Sequence, residues 1–101
     1  MIDLHGQHIF VAGGSRGIGR ATCLMAARAG AVVSVNYRQD NAAAQDVVAQ
    51  IEALGGKAFA VQADLSVDGE AKRALDEATN ALGKLSGLVI AAGIFEGIAL
   101  D

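Results

Sequence analysis

Residues 8–30 read HIFVAGGSRGIGRATCLMAARAG. An apolar run, Ile9 to Ala12, meets the glycines Gly13, Gly14, Gly17 and Gly19, and a helical pattern follows in which Ile18, Ala21, Met25 and Ala29 recur three or four apart. Strand, glycine turn and helix start, in that order, are what a dinucleotide site requires. Glycine lets the backbone pass through positive φ and come close to a ligand. The new helix then directs unpaired N–H groups and the positive end of its dipole at a phosphate. A purely structural turn has the same local pattern, so the flanking sequence has to decide between the two.

Working outward, the first strand spans about His8 to Ala12 and the first helix about Gly17 to Ala29, with Gly30 as its left-handed stop. Residues 31–37, AVVSVNY, are β-branched and almost continuously apolar, as in a strand covered on both faces. Arg38, Gln39, Asp40 and Asn41 form a polar break. A second helix runs to about Leu54, with Ala44, Val47, Val48, Ile51 and Leu54 on its inner face. Residues 57–63, KAFAVQA, make a third strand. Asp64, Leu65 and Ser66 lead into a third helix with Ser66 as its expected N-cap. Ala71, Ala74, Leu75, Ala78 and Leu82 form that helix's buried stripe, and its many charges its solvated face. A fourth strand spans about Leu88 to Ala92.

This is a β-α-β-α-β-α-β unit. Helix-length connections between short apolar strands dictate a parallel sheet with right-handed crossovers. The expected fold is α/β, a doubly wound parallel sheet of order 3-2-1-4. The first two helices cover one face and the third covers the other. Ligands of such sheets bind at the carboxyl ends of the strands, where the order reverses.

Composition narrows the function classes. A hydrophobic fraction of 52% over 101 residues supports one small domain with a core and excludes a disordered chain. A net charge of −3 with scattered basic residues argues against a nucleic-acid surface. No apolar run approaches a membrane span of about 18 residues, and no leader pattern opens the chain. The single cysteine, Cys23, excludes an internal disulfide; a packed thiol in a cytoplasmic protein is the expectation. His5 and His8 have no cysteine near them and are poor candidates for metal ligands.

With these residues placed, the chain resembles the N-terminal half of a short-chain dehydrogenase/reductase, most closely the 3-oxoacyl-(acyl-carrier-protein) reductase-like members. The family motif T-G-x-x-x-G-x-G reads Ala12-Gly13-Gly14-Ser15-Arg16-Gly17-Ile18-Gly19 here, with complete glycine spacing and alanine for the leading threonine. The stretches VNYRQD after the second strand and ADLS after the third are also typical. Two departures stand out. The family's N-N-A-G becomes Ile90-Ala91-Ala92-Gly93. The catalytic serine and the Y-x-x-x-K pair are absent: the only tyrosine is Tyr37, and the residue four further on is Asn41.

The resemblance implies that residues 1–101 are a Rossmann-type dinucleotide-binding half-domain. It implies cofactor contacts at Gly13, Ser15, Arg16, Gly17, Ile18, Gly19, Tyr37, Arg38, Ala63, Asp64, Leu65, Ala92, Gly93 and Ile94. Gly13, Gly17 and Gly19 would form the turn and the helix packing under the pyrophosphate, Ile18 would place its N–H there, Asp64 would accept from the adenine amino group, and Leu65 would pack by the ring. No acidic side chain ends the second strand, where an NAD-selective fold places one. Arg38 and Arg16 instead suit a 2′-phosphate, so NADP(H) is expected over NAD(H).

The implied function is hydride transfer between the nicotinamide and an alcohol or ketone, with no catalytic residue in this chain and no activity expected from it alone. The small carbonyl or alcohol substrate would need the other half. A non-catalytic nucleotide-binding module is the alternative, and a Rossmann-like methyltransferase a weaker one. The apolar fourth strand, LVIAAGI over residues 88–94, carries no protecting Lys or Pro, which predicts self-association through that edge.

Overall fold

The computed structural model describes residues 3–90. Four strands and three helices alternate: β1 (His8–Ala12), α1 (Gly17–Arg28), β2 (Val32–Tyr37), α2 (Asn41–Ala53), β3 (Ala58–Gln62), α3 (Glu70–Leu82) and β4 (Gly87–Ile90). All three pairings are parallel and the sheet order is β3-β2-β1-β4, as the sequence predicts. The expected contacts at Ala92, Gly93 and Ile94, and the expected end of the fourth strand, lie outside the described residues.

Side chains alternate across a strand, so each strand divides its residues between two cores. Val11, Val33 and Val35 face Cys23, Ala26 and Ala27 of α1 and Ala44, Val47 and Ile51 of α2. Phe10, Ala12 and Val61 face Ala74 and Ala78 of α3. The division of helices between the faces is therefore the expected one. Register is fixed through the middle of the sheet, where Val11 lies beside Val35 on one side and Val89 on the other.

Several local expectations are corrected. Ile18, Ala21 and Met25 do not form the inner stripe of α1: all three are exposed, Ile18 to 72% and Met25 to 67%. The buried stripe is Gly19, Cys23, Ala26 and Ala27. Gly19 sets this rotation, because a Cβ there would run into the Gly13 carbonyl group and stand 2.9 Å from Gly14 Cα. The glycine faces the turn, and the large side chains on the other phase face outward.

Ser66 is not the N-cap of the third helix. α3 begins four residues later, at Glu70, behind Gly69 at φ 83°. The Ser66 hydroxyl and N–H both donate to Asp64 Oδ1, at 2.6 and 3.0 Å, which closes a local turn and keeps the serine from any helix amide. Asp40, read as part of a polar break, caps α2 by accepting from the Ala43 N–H at 2.9 Å, and Asn41 is already helical. Leu54, expected on the inner face of α2, lies past its end and is half exposed.

The amino end of the sheet is closed by His8. Gly83 O can only accept, so His8 Nδ1 carries the proton toward it (2.8 Å), while Nε2 pairs with Ser34 Oγ at 2.7 Å. Both side chains are buried, and with the Ser86 hydroxyl accepting from the His8 N–H they tie the α3–β4 connection to β1 and β2. His8 is a structural residue.

Candidate functional site

The carboxyl ends of β1, β2 and β3 open into one cleft of about 740 Å³. Three short segments line it: the turn after β1 with Gly13, Ser15, Arg16, Gly17 and Ile18; the end of β2 with Asn36, Tyr37, Arg38, Gln39 and Asp40; and the end of β3 with Ala63, Asp64, Leu65 and Ser66. Of the described residues expected at the site, all line the cleft except Gly19, which lies buried beneath it.

The glycines have distinct tasks. Gly13 and Gly17 take φ of 74° and 57°, left-handed values that a side chain would oppose. A Cβ on Gly17 would meet nothing within 4 Å, so that position opens toward the cleft. Gly14 lies in the floor, where a Cβ would stand 2.9 Å from Cys23 Sγ. Gly19 lets the first turn of α1 rest directly on the Gly13–Gly14 backbone. Cys23 is packed below, and burial pushes its thiol up to about 12, so it is no nucleophile.

Among the described residues, no side chain caps the start of α1. Its cap residue, Arg16, has extended backbone and makes no side-chain cap, and no acidic residue stands in the first turn. Its first amide bond back to the cap runs from Arg20 N to Arg16 O at 3.2 Å. The amides of Gly17, Ile18 and Gly19 precede it and, among the described residues, have no acceptor. With the dipole they favour an anion.

The arginines of the cleft differ from those outside it. Among the described residues, neither Arg16 nor Arg38 makes an ion pair, whereas Arg20 and Arg73 are held by Asp46 and by Glu70 and Glu77. The Arg38 carbonyl accepts from Gln62 Nε2 at 2.9 Å, which fixes the backbone of the β2 end. The Ser66 hydroxyl, and then its N–H, hold the Asp64 carboxyl below the usual carboxylate range, and the Arg38 charge acts in the same direction. Asp64 is therefore an ionised acceptor at neutral pH, with Oδ1 engaged by Ser66. Leu65 packs partly against the α3-side core.

Asn36, Gln39, Asp40 and Ser66 line the cleft without having been expected there. Asn36 carried a readable signal: it is an amide inside a strand covered on both faces, and a buried amide must find partners. It is 4% exposed and its side chain bonds Gly13, Val61 and Ala63.

This arrangement fits a nicotinamide dinucleotide. The turn is shaped by glycines where a Cβ would block it, the amides of a helix start stand at its rim, and Arg16 and Arg38, which make no ion pair among the described residues, line the same cleft. Comparison with known proteins agrees. The family model for short chain dehydrogenases matches residues 7–100. An uncharacterised oxidoreductase of Methylorubrum extorquens is 42% identical over the whole chain, which covers 41% of that protein. A 3-oxoacyl-[acyl-carrier-protein] reductase of Synechocystis is 43% identical over 93% of this chain and 38% of its own. A short chain dehydrogenase from Burkholderia cenocepacia, solved in complex with NADP, superposes with a TM-score of 0.85 at 45% identity, over 97% of this chain and 40% of that one. The chain thus spans about two fifths of the length of these relatives.

Proposed function

Because the chain belongs to the short chain dehydrogenase family, we propose that it is the cofactor-binding part of an NADP(H)-dependent oxidoreductase. The bound nicotinamide would supply or accept hydride at an alcohol or ketone carbon. The chain's own residues do the holding. The Ile18 amide, with Gly17 beside it, is offered to the pyrophosphate, above the packing of Gly19 on Gly13. Asp64 accepts from the adenine amino group beside Leu65, and Ser15 and Tyr37 border the same surface. Ala92, Gly93 and Ile94 complete the contact set by resemblance.

The observation that carries the NADP preference is the pairing of Arg16 and Arg38 in one cleft without an acidic side chain at the end of β2. A carboxylate at Tyr37 would repel a 2′-phosphate, whereas Arg38 presents a planar fork of donors to it. The Burkholderia relative's bound NADP supports this reading. Titration of the full native polypeptide with NADPH and NADH tests it. NADPH should bind about 10- to 100-fold more tightly, the value of one charge-assisted hydrogen bond. Equal affinities refute the preference.

No proton donor for the carbonyl is assigned. Tyr37 lies at the cofactor surface, and position 41 is asparagine where the family's tyrosine would have a lysine. Residues 1–101 alone should therefore show no NADPH oxidation with simple ketones, since a positioned acid contributes about 10²–10⁴-fold. Steady turnover by a preparation free of host reductases would overturn this. Among the described residues β4 is an edge strand and Leu88 on it is half exposed, which supports self-association of the isolated chain; a monomeric mass by sedimentation would count against that.

A further inference from the structure

We infer that Asn36 is a positioning residue that sets the height of the glycine turn by tying it to the end of β3. Its amide holds two walls of the cleft in one arrangement. Oδ1 accepts from the Gly13 N–H at 3.1 Å. Nδ2 donates to Val61 O at 3.2 Å and to Ala63 O at 3.3 Å. The Asn36 main-chain carbonyl accepts from the Gly14 N–H at 2.8 Å. The amide cannot be flipped, because a reversed group would set NH₂ against the Gly13 N–H and oxygen against two carbonyls.

Gly13 and Ala63 belong to neighbouring loops of the site but not to neighbouring strands. β2 lies between β1 and β3, so no ladder bond reaches from one to the other. Asn36, near the carboxyl end of the middle strand, reaches both sides. Its partners belong to the cleft wall: Gly13 opens the turn, and Ala63 lies directly before Asp64. At a site where small displacements are costly, such a brace sets affinity for the whole dinucleotide without touching its 2′-position. Arg38, by contrast, discriminates between dinucleotides.

Asn36 acts in this way only if the cleft takes a dinucleotide, the reading given above. The test uses the full native polypeptide, NADP⁺ and NAD⁺ by calorimetry, and amide hydrogen exchange. In the parent without dinucleotide, the Gly13 amide should already be protected; rapid exchange there overturns the brace whatever any variant does. Asn36→Ala should expose the Gly13 amide while leaving Gly14, held by the main chain, protected. Asn36→Asp keeps the Gly13 bond but sets an oxygen against Val61 O and Ala63 O, so it should weaken binding with Gly13 still protected. Both should weaken NADP⁺ and NAD⁺ by the same factor, about tenfold, at a temperature where circular dichroism shows them folded. Binding within twofold of the parent by either folded variant overturns the inference, as does a changed NADP⁺/NAD⁺ ratio. A parent that binds neither dinucleotide overturns the cofactor reading itself, and the brace with it.

Discussion

α1 and α3 are helices of nearly equal length, each following a strand of one sheet, yet their first turns are built in opposite ways. α3 opens with Glu70 behind a left-handed Gly69. Its N-terminal charge is supplied from within, and Arg73 closes over it by bonding Glu70, Glu77 and the Gln62 carbonyl. α1 opens with no acidic residue and no side-chain cap. The buried faces differ in the same sense. α3 packs Ala74 and Ala78 with Leu75 beside them, an ordinary amphipathic stripe. α1 seats on Gly19, Cys23, Ala26 and Ala27 and leaves Ile18 and Met25 exposed. One helix is fitted to its core; the other is fitted to a turn, and its core contacts follow. On the proposed reading, the first turn of α1 receives the phosphates of the dinucleotide.

The largest expected break in this contrast comes from Gly19→Ala. The new methyl would enter the Gly13 carbonyl and press Gly14 Cα, so helix and turn must separate. NADPH affinity should fall at least about 100-fold, the penalty of an ångström-scale displacement. The matching change in α3, Gly69→Ala, meets nothing within 4 Å but keeps a left-handed φ. It should cost about 1–2 kcal/mol of stability and leave affinity unchanged. Denaturant titration and calorimetry of both variants check the pair.

Arg38→Ala comes next. It should lower NADPH affinity about 10- to 100-fold and spare NADH, whereas Arg73→Ala, which removes a cation already held by its own carboxylates, should alter neither. Arg16→Ala should act in the same direction as Arg38→Ala, and the double variant need not be additive, because both side chains would share one phosphate.

A smaller effect is expected from giving α1 the acid that α3 already has. Ile18→Glu places a carboxylate in a first turn at a 72% exposed site. It should raise stability slightly, by about 0.3–1 kcal/mol through the dipole, while weakening NADPH about tenfold by repelling its phosphates. Stability and affinity moving in opposite directions is the signature to look for in thermal melts and titrations.

The smallest effect concerns acid. The folded Asp64 carboxyl is held below its ordinary value of 3.8, first by Ser66. Its contribution to stability is therefore present above that ordinary value and is lost as pH falls through the lower folded one. Ser66→Ala should lower stability above about pH 4, where the contribution is present, and flatten the loss of stability as pH falls below it. Melting temperatures on both sides of that pH test the sign.

The fold was legible because its signals are long and redundant. Four apolar strands, three helix-length connections and glycine stops at residues 30, 55 and 83 leave little room for another order. The cleft was legible at the motif residues, whose spacing reflects backbone geometry. What escaped the sequence depended on contacts between elements. Helical periodicity alone cannot choose between the stripe of Ile18 and Met25 and the stripe of Gly19 and Cys23. Close packing on Gly13 decides it, against the hydrophobic pattern. Ser66 resembles a cap until Asp64 takes its hydroxyl. Asn36 sits in an apolar strand as an amide that must find partners, but nothing local says that these include Gly13 on one side and Val61 and Ala63 on the other.

The most direct test of the contrast between the two helices is a ¹H–¹⁵N spectrum of the full native polypeptide titrated with NADPH. The account predicts large shifts at the amides of Gly17, Ile18 and Gly19 in the first turn of α1, and none at Glu70, Ala71 and Lys72 in the first turn of α3. Binding without movement of the α1 amides, or with equal movement at α3, would contradict it.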